Sequence, residues 1–473
     1  MAEPEVHAAH SDVTRRNFLK SSAAAGAGVW LASQTLWAQE TPENTDELRV
    51  AMIGVGRQGR VLLRDSLAIP GVRFVAICDI WPYHLYYAAN ILGKFGHDVN
   101  TYVDYQEMLA REEDLDALIV ATPDWMHAEH AIAGLEAGLD VYCEKEMSND
   151  LAKARDMVLA ARKTGKLLQI GHQRRSNPRY LHARQLIYKD KLLGRLTHVY
   201  GQWHRTRRDD LPYPEKWARS YKEDGWADWS KEKVQQARKD LVREFETVTL
   251  KKYGYDTPER FRNWRNYKEY AGGLIADLGS HQIDIFNWFL KSQPSTVMAM
   301  GGLDYYDKGQ WYDNVMAMYT YPTGQGVVRG SYQVLTTSSF NGYYEAFSGD
   351  EGTLVISEDT KRGHVFREVV AKRKEWEDEA EKVEQMGKQA IELKIGESRA
   401  AEGKKAEAEA LEAQSKKRIH QLHLENFFSA IRNGTPLSCP PEVGYETAVT
   451  VLKVNDALAA GKALSYKPGE FEV

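Results

Sequence analysis

A glycine-rich turn between an apolar run and a helical pattern is the feature that most restricts the fold of this chain. Residues 49–55 are strand-like, Gly54, Gly56 and Gly59 form a G-x-G-x-x-G turn, and helical spacing continues to residue 67. In this context the glycines give a tight turn, a close backbone approach to a pyrophosphate and close helix packing. The turn therefore predicts a dinucleotide-binding βαβ unit.

A carboxylate after the next apolar run defines the expected cofactor. Residues 73–78 read as a second strand, and Asp79 follows, 20 residues after Gly59. At this position a carboxylate accepts hydrogen bonds from a ribose 2′-OH and repels a 2′-phosphate. Because Ile80 and Trp81 follow and no arginine stands beside Asp79, NAD is favoured over NADP.

The order of strand-like and helical segments predicts two domains. Alternation continues from residue 47 to residue 171, which indicates a parallel sheet. Consecutive strand-like runs between residues 296 and 356 then indicate a largely antiparallel sheet. We predict an α/β protein with a Rossmann domain at 47–171, followed by an α+β substrate domain with a largely antiparallel open sheet at 172–360.

The remaining boundaries follow from composition and spacing. Residues 361–418 are rich in Glu, Lys and Ala, and they are predicted to form a charged helical insertion, with an oligomerisation arm as the alternative. Apolar helical spacing resumes afterwards, so residues 419–473 are predicted to complete the α+β domain. We also expect a homo-oligomer.

Residues 1–46 are predicted to hold an export signal and a linker. Arg15 and Arg16 precede a weakly apolar run of small residues that ends at Leu36. This order resembles a twin-arginine (Tat) signal, so we expect export by the Tat machinery to the periplasm or another extracytoplasmic space. Cleavage after Ala38 and retention of the signal as a tether both stay open, and a basic start of a buried helix is the alternative.

Charge and cysteine content exclude several classes of partner. The 62 Lys and Arg residues against 67 Asp and Glu give a net charge of −5, which argues against nucleic acid or an anionic membrane surface. Cys78, Cys143 and Cys439 are far apart and form no C-x-x-C pair, so no zinc knuckle is predicted. The expected partner is a small, roughly neutral molecule.

Two further strand ends point toward the same crevice, because ligands of open α/β sheets lie beyond the carboxyl ends of the strands. The fourth strand is followed by residues 122–127, TPDWMH, and the fifth by residues 144–146, EKE. These segments resemble the TP-x-x-x-H and EKP signatures of the Gfo/Idh/MocA oxidoreductase family. The resemblance covers about residues 47–360 and 420–473, and Glu146 stands where that family usually has proline.

A third signature lies in the predicted second domain. Residues 272–284, GGLIADLGSHQID, resemble the GG-x-x-x-D-x-G-x-H-x-x-D signature that carries the family's acid/base groups. Asp277 and His281 are four residues apart, so they share a helix face, and a carboxylate beside an imidazole orients it and raises its basicity. Asp284 is expected to fix the helix or the histidine tautomer. A capped helix with a satisfied histidine and an Asp/His/Asp metal site are the alternatives.

The resemblance implies three catalytic residues. Lys145 would hydrogen-bond the reacting hydroxyl, His281 would take its proton, and Asp277 would position and charge-balance His281. Arg175 follows the last predicted Rossmann strand and would either hold a helix end or meet substrate oxygens. The expected substrate contacts are Lys145, Arg175, Asp277 and His281. The expected NAD contacts are Gly54, Gly56, Arg57, Gln58, Gly59, Asp79, Thr122, Pro123, His127, Glu144 and Lys145. No metal is predicted, since His127 and His130 have no third convergent ligand.

By resemblance, the predicted function is NAD-dependent oxidation of a secondary hydroxyl of a sugar, glycoside or cyclitol. An exported enzyme meets no free NAD pool, so the cofactor should be tightly bound. An NAD-dependent glycoside hydrolase that works by transient oxidation and elimination is the second function, although the sequence reveals no second base for it. A non-catalytic sugar-binding protein is the third. Aromatic residues around an excursion at 205–270 would stack on sugar or fill a core.

Overall fold

The computed structural model describes residues 46–206, 211–214, 216–373, 377, 381–385, 387–393, 409 and 412–473. The predicted export signal lies outside these residues. Among the helices in the described ranges, none is both long and apolar enough to cross a membrane.

A six-stranded parallel sheet occupies the first part of the described chain, with strand order β3-β2-β1-β4-β5-β6. Its strands are β1 (Leu48–Ile53), β2 (Val72–Cys78), β3 (Asn100–Tyr102), β4 (Ala117–Val120), β5 (Asp140–Cys143) and β6 (Leu168–Ile170). The connecting helices are α1 (Arg57–Ser66), α2 (Pro82–Lys94), α3 (Tyr105–Arg111), α4 (Asp124–Glu136) and α5 (Leu151–Thr164). The strand order reverses at β1, so the glycine turn lies at the topological switch point.

A ten-stranded sheet forms most of the second part, with order β14-β15-β13-β12-β11-β7-β10-β9-β8-β16. All its neighbouring strands pair antiparallel except β7 and β10, which are parallel. The strands are β7 (Leu196–His204), β8 (Thr296–Gly302), β9 (Asn314–Thr323), β10 (Gly326–Leu335), β11 (Tyr343–Gly349), β12 (Gly352–Ile356), β13 (Gly363–Arg367), β14 (Lys382–Gln385), β15 (Lys388–Glu392) and β16 (Leu464–Ser465). The predicted fold class is confirmed.

The helices of the second part include the predicted pair at 178–188 and 280–290. They are α6 (Pro178–Tyr188), α7 (Lys231–Glu244), α8 (Leu250–Lys252), α9 (Pro258–Arg262), α10 (Ser280–Leu290), α11 (Ile419–Asn433) and α12 (Pro441–Ala460). Two π-helical turns, Phe245–Thr249 and Ile275–Gly279, precede α8 and α10. Short 3₁₀ turns lie at Gln173–Ser176, Trp217–Ser220, Asp224–Trp226, Trp264–Asn266 and Pro468–Glu470.

The helical insertion predicted at 361–418 is wrong for most of its described residues. β13 pairs with β12, and β14 and β15 form a hairpin whose second strand pairs with β13. Val365 and Ile391 are partners across this pairing and both are buried. Burial on the sheet edge therefore outweighs the helix propensity of a Glu- and Lys-rich composition.

Helix α11 packs on the first sheet, although residues 419–473 were predicted to complete the second domain. Leu424, Phe427 and Phe428 are buried in one cluster with Leu62 of α1 and Phe74 of β2. This side of the parallel sheet needs an apolar cover because both faces of such a sheet are buried. The spacing at 423–431 indicates an apolar helix face but not the sheet that it covers.

Candidate active site

The glycine turn packs too closely against its neighbours to accept larger residues at Gly54 and Gly59. Gly54 has φ +87°, and a Cβ atom there would lie 2.7 Å from the carbonyl carbon of Ala121. A Cβ atom on Gly59 would lie 2.0 Å from the carbonyl oxygen of Gly54. The glycines therefore let the turn pack closely against the loop after β4 and let α1 pack closely against the turn. The first turn of α1 carries no acidic residue, so the residues present fit the pyrophosphate of a dinucleotide.

Asp79 lies at the end of β2, directly against this turn. Its Oδ2 accepts a hydrogen bond from the Val55 amide at 3.0 Å, and its Oδ1 accepts one from the Trp81 amide at 2.9 Å. Nδ1 of His84 lies 3.1 Å from Oδ2. These contacts fix the carboxylate where a dinucleotide ribose is bound. His84 was missed by the sequence analysis, because only the fold brings the first turn of α2 over the glycines.

Thr122 and His127 connect the loops after β4 and β5. The ring nitrogens of His127 lie 2.7 Å from the carbonyl oxygen of Glu146 and 2.8 Å from that of Thr122. His127 is 1% exposed, so it holds the two loops from within. This corrects the predicted direct contact of His127 with NAD. Pro123 is the N-cap of α4 and has extended backbone geometry.

Glu144 lies at the centre of a polar cluster that spans distant parts of the chain. Its Oε1 accepts a hydrogen bond from Gln58 Nε2 at 3.1 Å, and its Oε2 accepts one from the Lys145 amide at 3.2 Å. Gln58 Nε2 also lies 3.1 Å from Nε2 of His420 at the start of α11. His420 was missed by the sequence analysis, because it lies 362 residues from Gln58.

Lys145 reaches from the nucleotide domain to the second signature. Its Nζ donates a hydrogen bond to the Asp277 carbonyl oxygen and lies 3.7 Å from Asp277 Oδ1. Arg265 Nε lies 3.0 Å from the same carboxylate, and Arg205 lies 3.8 Å from it. Burial raises the pKa of Asp277, but Arg265, Lys145 and Arg205 together lower it further, so the carboxylate is ionised.

His281 faces this cluster without a bond to Asp277. No hydrogen bond joins the two side chains in the described residues, and the buried Nδ1 of His281 has no partner there. Burial first, and then the charges of Lys145 and Arg174, hold the pKa of His281 well below its usual range. The expectation that Asp277 makes His281 more basic is therefore wrong, because three cations take up the carboxylate and a π-helical turn separates the pair.

Arg175 holds a helix, which was one of its two predicted roles. Its Nε and Nη2 donate to the carboxylate of Asp284 at 2.8–3.0 Å, and both side chains are buried. Thr447 Oγ1 donates to the same carboxylate at 2.9 Å. The pair connects the segment after β6 to α10 and α12, so the structure corrects the predicted contact of Arg175 with substrate.

Three buried titratable groups surround Lys145. Burial raises the pKa of Asp124 to about 7 and that of Glu146 to about 8, while it lowers the pKa of His172 to about 4. The peptide bond between Lys145 and Glu146 is cis, and Glu146 Oε1 accepts a hydrogen bond from the Met147 amide at 2.7 Å. A strongly shifted pKa at a cleft marks candidate functional groups. Sequence spacing alone does not reveal such burial.

The aromatic residues around the excursion divide into two groups. Trp217, Trp226 and Tyr270 are buried, and Trp217 and Tyr270 belong to one hydrophobic core cluster. Trp203 instead stacks on Tyr343 with ring centres 4.6 Å apart. The centre of the Trp203 ring lies 5.6 Å from that of His281, at the candidate site. Among the residues with described positions, no three His, Cys, Asp or Glu side chains are arranged to hold a metal ion.

Two ranges of the chain match models of one protein family. Residues 48–172 match the family model described as "Oxidoreductase family, NAD-binding Rossmann fold", and residues 243–460 match "Oxidoreductase family, C-terminal alpha/beta domain". The chain belongs to the Gfo/Idh/MocA oxidoreductase family. Its first domain is thus an NAD-binding Rossmann domain, as predicted. Residues 12–32 match a twin-arginine translocation signal, so the predicted signal is confirmed.

Relatives of this Gfo/Idh/MocA protein carry several activities in their names. It is 36% identical over 138 residues to a glycosyl hydrolase family 109 protein of Stenotrophomonas maltophilia, covering 28% of this chain and 29% of the relative. It is 29% identical over 157 residues to an inositol 2-dehydrogenase of Salmonella typhimurium, and this match covers 33% of this chain and 45% of the relative. The chain spans less than half the length of these curated relatives.

Solved structures share the fold at low identity. A levoglucosan dehydrogenase in complex with NADH and levoglucosan has a TM-score of 0.62 and 17% identity, covering 89% of this chain and 100% of the other. The WlbA dehydrogenase of Bordetella pertussis, in complex with NADH and UDP-GlcNAcA, has a TM-score of 0.61 and 17% identity, covering 89% and 99%. At this identity the likeness shows that the fold is shared.

Proposed function

We propose that this protein is an NAD-dependent oxidoreductase that oxidises a secondary hydroxyl of a sugar, glycoside or cyclitol. The observation that carries the proposal is the meeting of Lys145, from the nucleotide domain, with Asp277 and His281, from the second domain. NAD, when bound, supplies the acceptor for the hydride of the carbinol carbon. The chain's own residues must then orient the hydroxyl and remove its proton.

His281 is the proposed base. Because its pKa lies well below the usual range, its imidazole is neutral at physiological pH and can accept a proton. His281 therefore accepts the hydroxyl proton as the carbon–hydrogen bond breaks.

Lys145 is the proposed donor to the reacting oxygen. Its ammonium group is held between the carbonyl oxygen and the carboxylate of Asp277, which leaves its position well defined. Asp277 thus positions Lys145, rather than His281, and its single negative charge balances part of the positive charge of Lys145, Arg265 and Arg205. A positioned donor lowers the barrier by keeping the hydroxyl in the reactive geometry.

The proposed substrate class follows from the aromatic face beside the base. Trp203 lies against His281, and Tyr343 stacks on Trp203. Aromatic faces pack well on the C–H surfaces of sugars. The relatives named for inositol and the structural neighbour with levoglucosan are in keeping with a polyhydroxylated ring. With its Tat signal, the enzyme would work outside the cytoplasm, tethered or free, as the predicted homo-oligomer.

A single-turnover assay tests the base. Holoenzyme is mixed with levoglucosan, inositols and aryl glucosides in turn, and reduction of bound NAD is followed by nicotinamide absorbance. His281→Ala should slow reduction about 10²- to 10⁴-fold, with NAD still bound. The matched control is His198→Ala, which changes an exposed histidine of β7. Near-native reduction in His281→Ala would refute the assignment.

A redox-neutral glycoside hydrolase is the second candidate, and Asp124 favours it. Oxidation at C3 acidifies the C2 hydrogen, and a second base can then remove it as the glycosidic oxygen leaves. Water adds, and the ketone is reduced again. Asp124 has a pKa of about 7, because burial raises it more than Lys145 and Arg265 lower it. Such a carboxyl group can accept a proton near neutral pH.

Solvent isotope exchange separates the two candidates. With an aryl glycoside in D₂O, a hydrolase releases sugar that carries deuterium at C2, whereas a dehydrogenase accumulates ketone and reduced NAD. Asp124→Asn should abolish deuterium incorporation while single-turnover reduction of NAD continues. Release of sugar without deuterium at C2 would exclude elimination.

A further inference from the structure

The excursion between β7 and α10 docks on the nucleotide domain. Residues 216–270, which we call the clasp, contact the loops that follow β2, β3 and β4. After β3, Asp104 Oδ2 lies 3.1 Å from Lys252 Nζ and accepts a hydrogen bond from the Tyr253 hydroxyl at 3.2 Å. After β4, Trp125 Nε1 donates to the Tyr255 hydroxyl at 3.3 Å. These loops border the crevice that holds a dinucleotide.

A further contact is an aromatic cluster around Trp81, two residues after Asp79. The Trp81 ring lies 5.8 Å from Phe245 in a stacked arrangement and 5.6 Å from Phe261 at its edge. Trp217 approaches Trp81 edge-on at 5.8 Å. Trp81 is 0% exposed. The clasp thus covers the strand end where the adenosine ribose of a dinucleotide is bound.

Arg262 brings a positive charge into this region from the clasp. Its Cζ lies 5.8 Å from the centre of the Trp81 ring. Trp81 donates its amide hydrogen to Asp79, which also accepts a hydrogen bond from Val55 of the glycine turn, so Arg262 lies on a residue that is bonded to that turn. Arg57 is the first residue of α1, and Arg60 Nη1 donates to the Val55 carbonyl oxygen at 3.3 Å. Arg57 and Arg60 therefore lie at the glycine turn itself, and Arg262 approaches the same region from Trp81.

Among the residues that the structure describes, no carboxylate forms an ion pair with any of these three arginines. The first turn of α1 contains no acidic residue. Arg262 Nε is buried, and no described residue accepts a hydrogen bond from it. The carboxylate of Asp79 lies against the glycine turn, but its two oxygens already accept hydrogen bonds from the backbone amides of Val55 and Trp81. A buried donor without an acceptor, beside the strand end where a dinucleotide is bound, calls for an anionic ligand.

We propose that Arg262 binds the diphosphate of NAD from the clasp, so that the cofactor is released only when the clasp opens. The diphosphate supplies two negative charges between α1 and Arg262, and the aromatic cluster then closes the adenosine end. Opening exposes Trp81 and its partners, which makes release slow. This role concerns retention of the cofactor, and it holds for either of the two proposed reactions.

Exchange of bound NAD tests the proposal without any substrate. Holoenzyme is incubated with excess isotope-labelled NAD, and the label retained after rapid gel filtration is counted over time. Arg262→Gln should speed exchange at least about 10-fold and weaken its dependence on salt, because a charged contact with phosphate is lost. Arg262→Lys should restore part of the retention. Arg243→Gln, an exposed arginine of the same clasp, is the matched control and should exchange at the native rate.

The variant Phe261→Ala distinguishes the effect of the Arg262 charge from the effect of the aromatic cluster around Trp81. It should speed exchange while the native salt dependence persists, because Arg262 still meets the diphosphate. If Arg262→Gln does not fold, the exchange rate and its salt dependence are measured in Arg262→Lys and Phe261→Ala instead. Native exchange rates in folded Arg262→Gln, or in both other variants, would overturn the proposal. Loss of sugar oxidation alone would leave it standing, since no substrate is present.

Discussion

Glu146 is the buried residue whose protonation should be easiest to detect. Burial, with nearby Asp124 and Asp284, raises its pKa to about 8 despite the Met147 amide and Lys145. An unfolded glutamate has a pKa of about 4.3. The folded state therefore keeps a proton that the unfolded chain gives up, and the free energy of unfolding falls as pH rises from about 4.3 to 8.

The substitution Glu146→Gln should remove this pH-dependent fall in the free energy of unfolding. Glutamine keeps the oxygen that accepts a hydrogen bond from the Met147 amide, but it cannot ionise. The free energy of unfolding of the variant, relative to that of the native protein, should therefore rise by on the order of a few kcal/mol between pH 5 and pH 8.5. Urea unfolding at both pH values measures the difference. Glu113→Gln, at an exposed site, is the control. An equal pH dependence in the native and Glu146→Gln proteins would contradict the raised pKa.

Gly54 shows how one backbone conformation can determine a site. Gly54→Ala should destabilise the fold by about 1–2 kcal/mol or more and abolish NAD binding, because of its positive φ and the contact with Ala121. Gly93→Ala is a matched control, since its Cβ atom would meet nothing within 4 Å inside α2. Thermal unfolding and bound-NAD content are the measurements. Retention of NAD by Gly54→Ala would show that the turn can rearrange.

At the scale of elements, the Arg175–Asp284 pair holds the segment after β6 against α10 and α12. Asp284→Asn leaves a buried guanidinium without its counter-ion and should cost about 3–5 kcal/mol of stability. Arg175→Met with Asp284→Leu should cost less, because no unpaired charge is left. Chemical unfolding of both variants measures the costs. An Asp284→Asn protein of native stability that has lost turnover would instead indicate a direct role at the substrate.

The secondary elements also show the limits of local pattern. β1 and β2, with the turn between β1 and α1, were predictable because their apolar runs and glycines have a local physical meaning. β13 to β15 were not, since an edge hairpin is stabilised by pairing with strands distant in sequence. α11 was recognisable as a helix, but the surface that Phe427 and Phe428 cover depends on the whole fold.

At the scale of the whole molecule, export is the property open to a direct test. Arg15→Lys with Arg16→Lys should leave folded, NAD-bound protein in the cytoplasm, because the pair is an address for the Tat machinery. Cell fractionation, with NAD measured in each fraction, checks the result. Lys20→Arg keeps the arginine pair intact and serves as the control. Unchanged export of the double variant would contradict the twin-arginine route.

The sequence by itself determined the Rossmann domain, the preference for NAD and the segments that carry Lys145, Asp277 and His281. It could do so because each depends on residues close together along the chain. Only the tertiary structure decided that the Asp277 carboxylate lies against Lys145, that His281 has a lowered pKa and that the clasp covers Trp81. Those properties arise from burial and from charges brought together from both domains, and spacing along a chain does not record either.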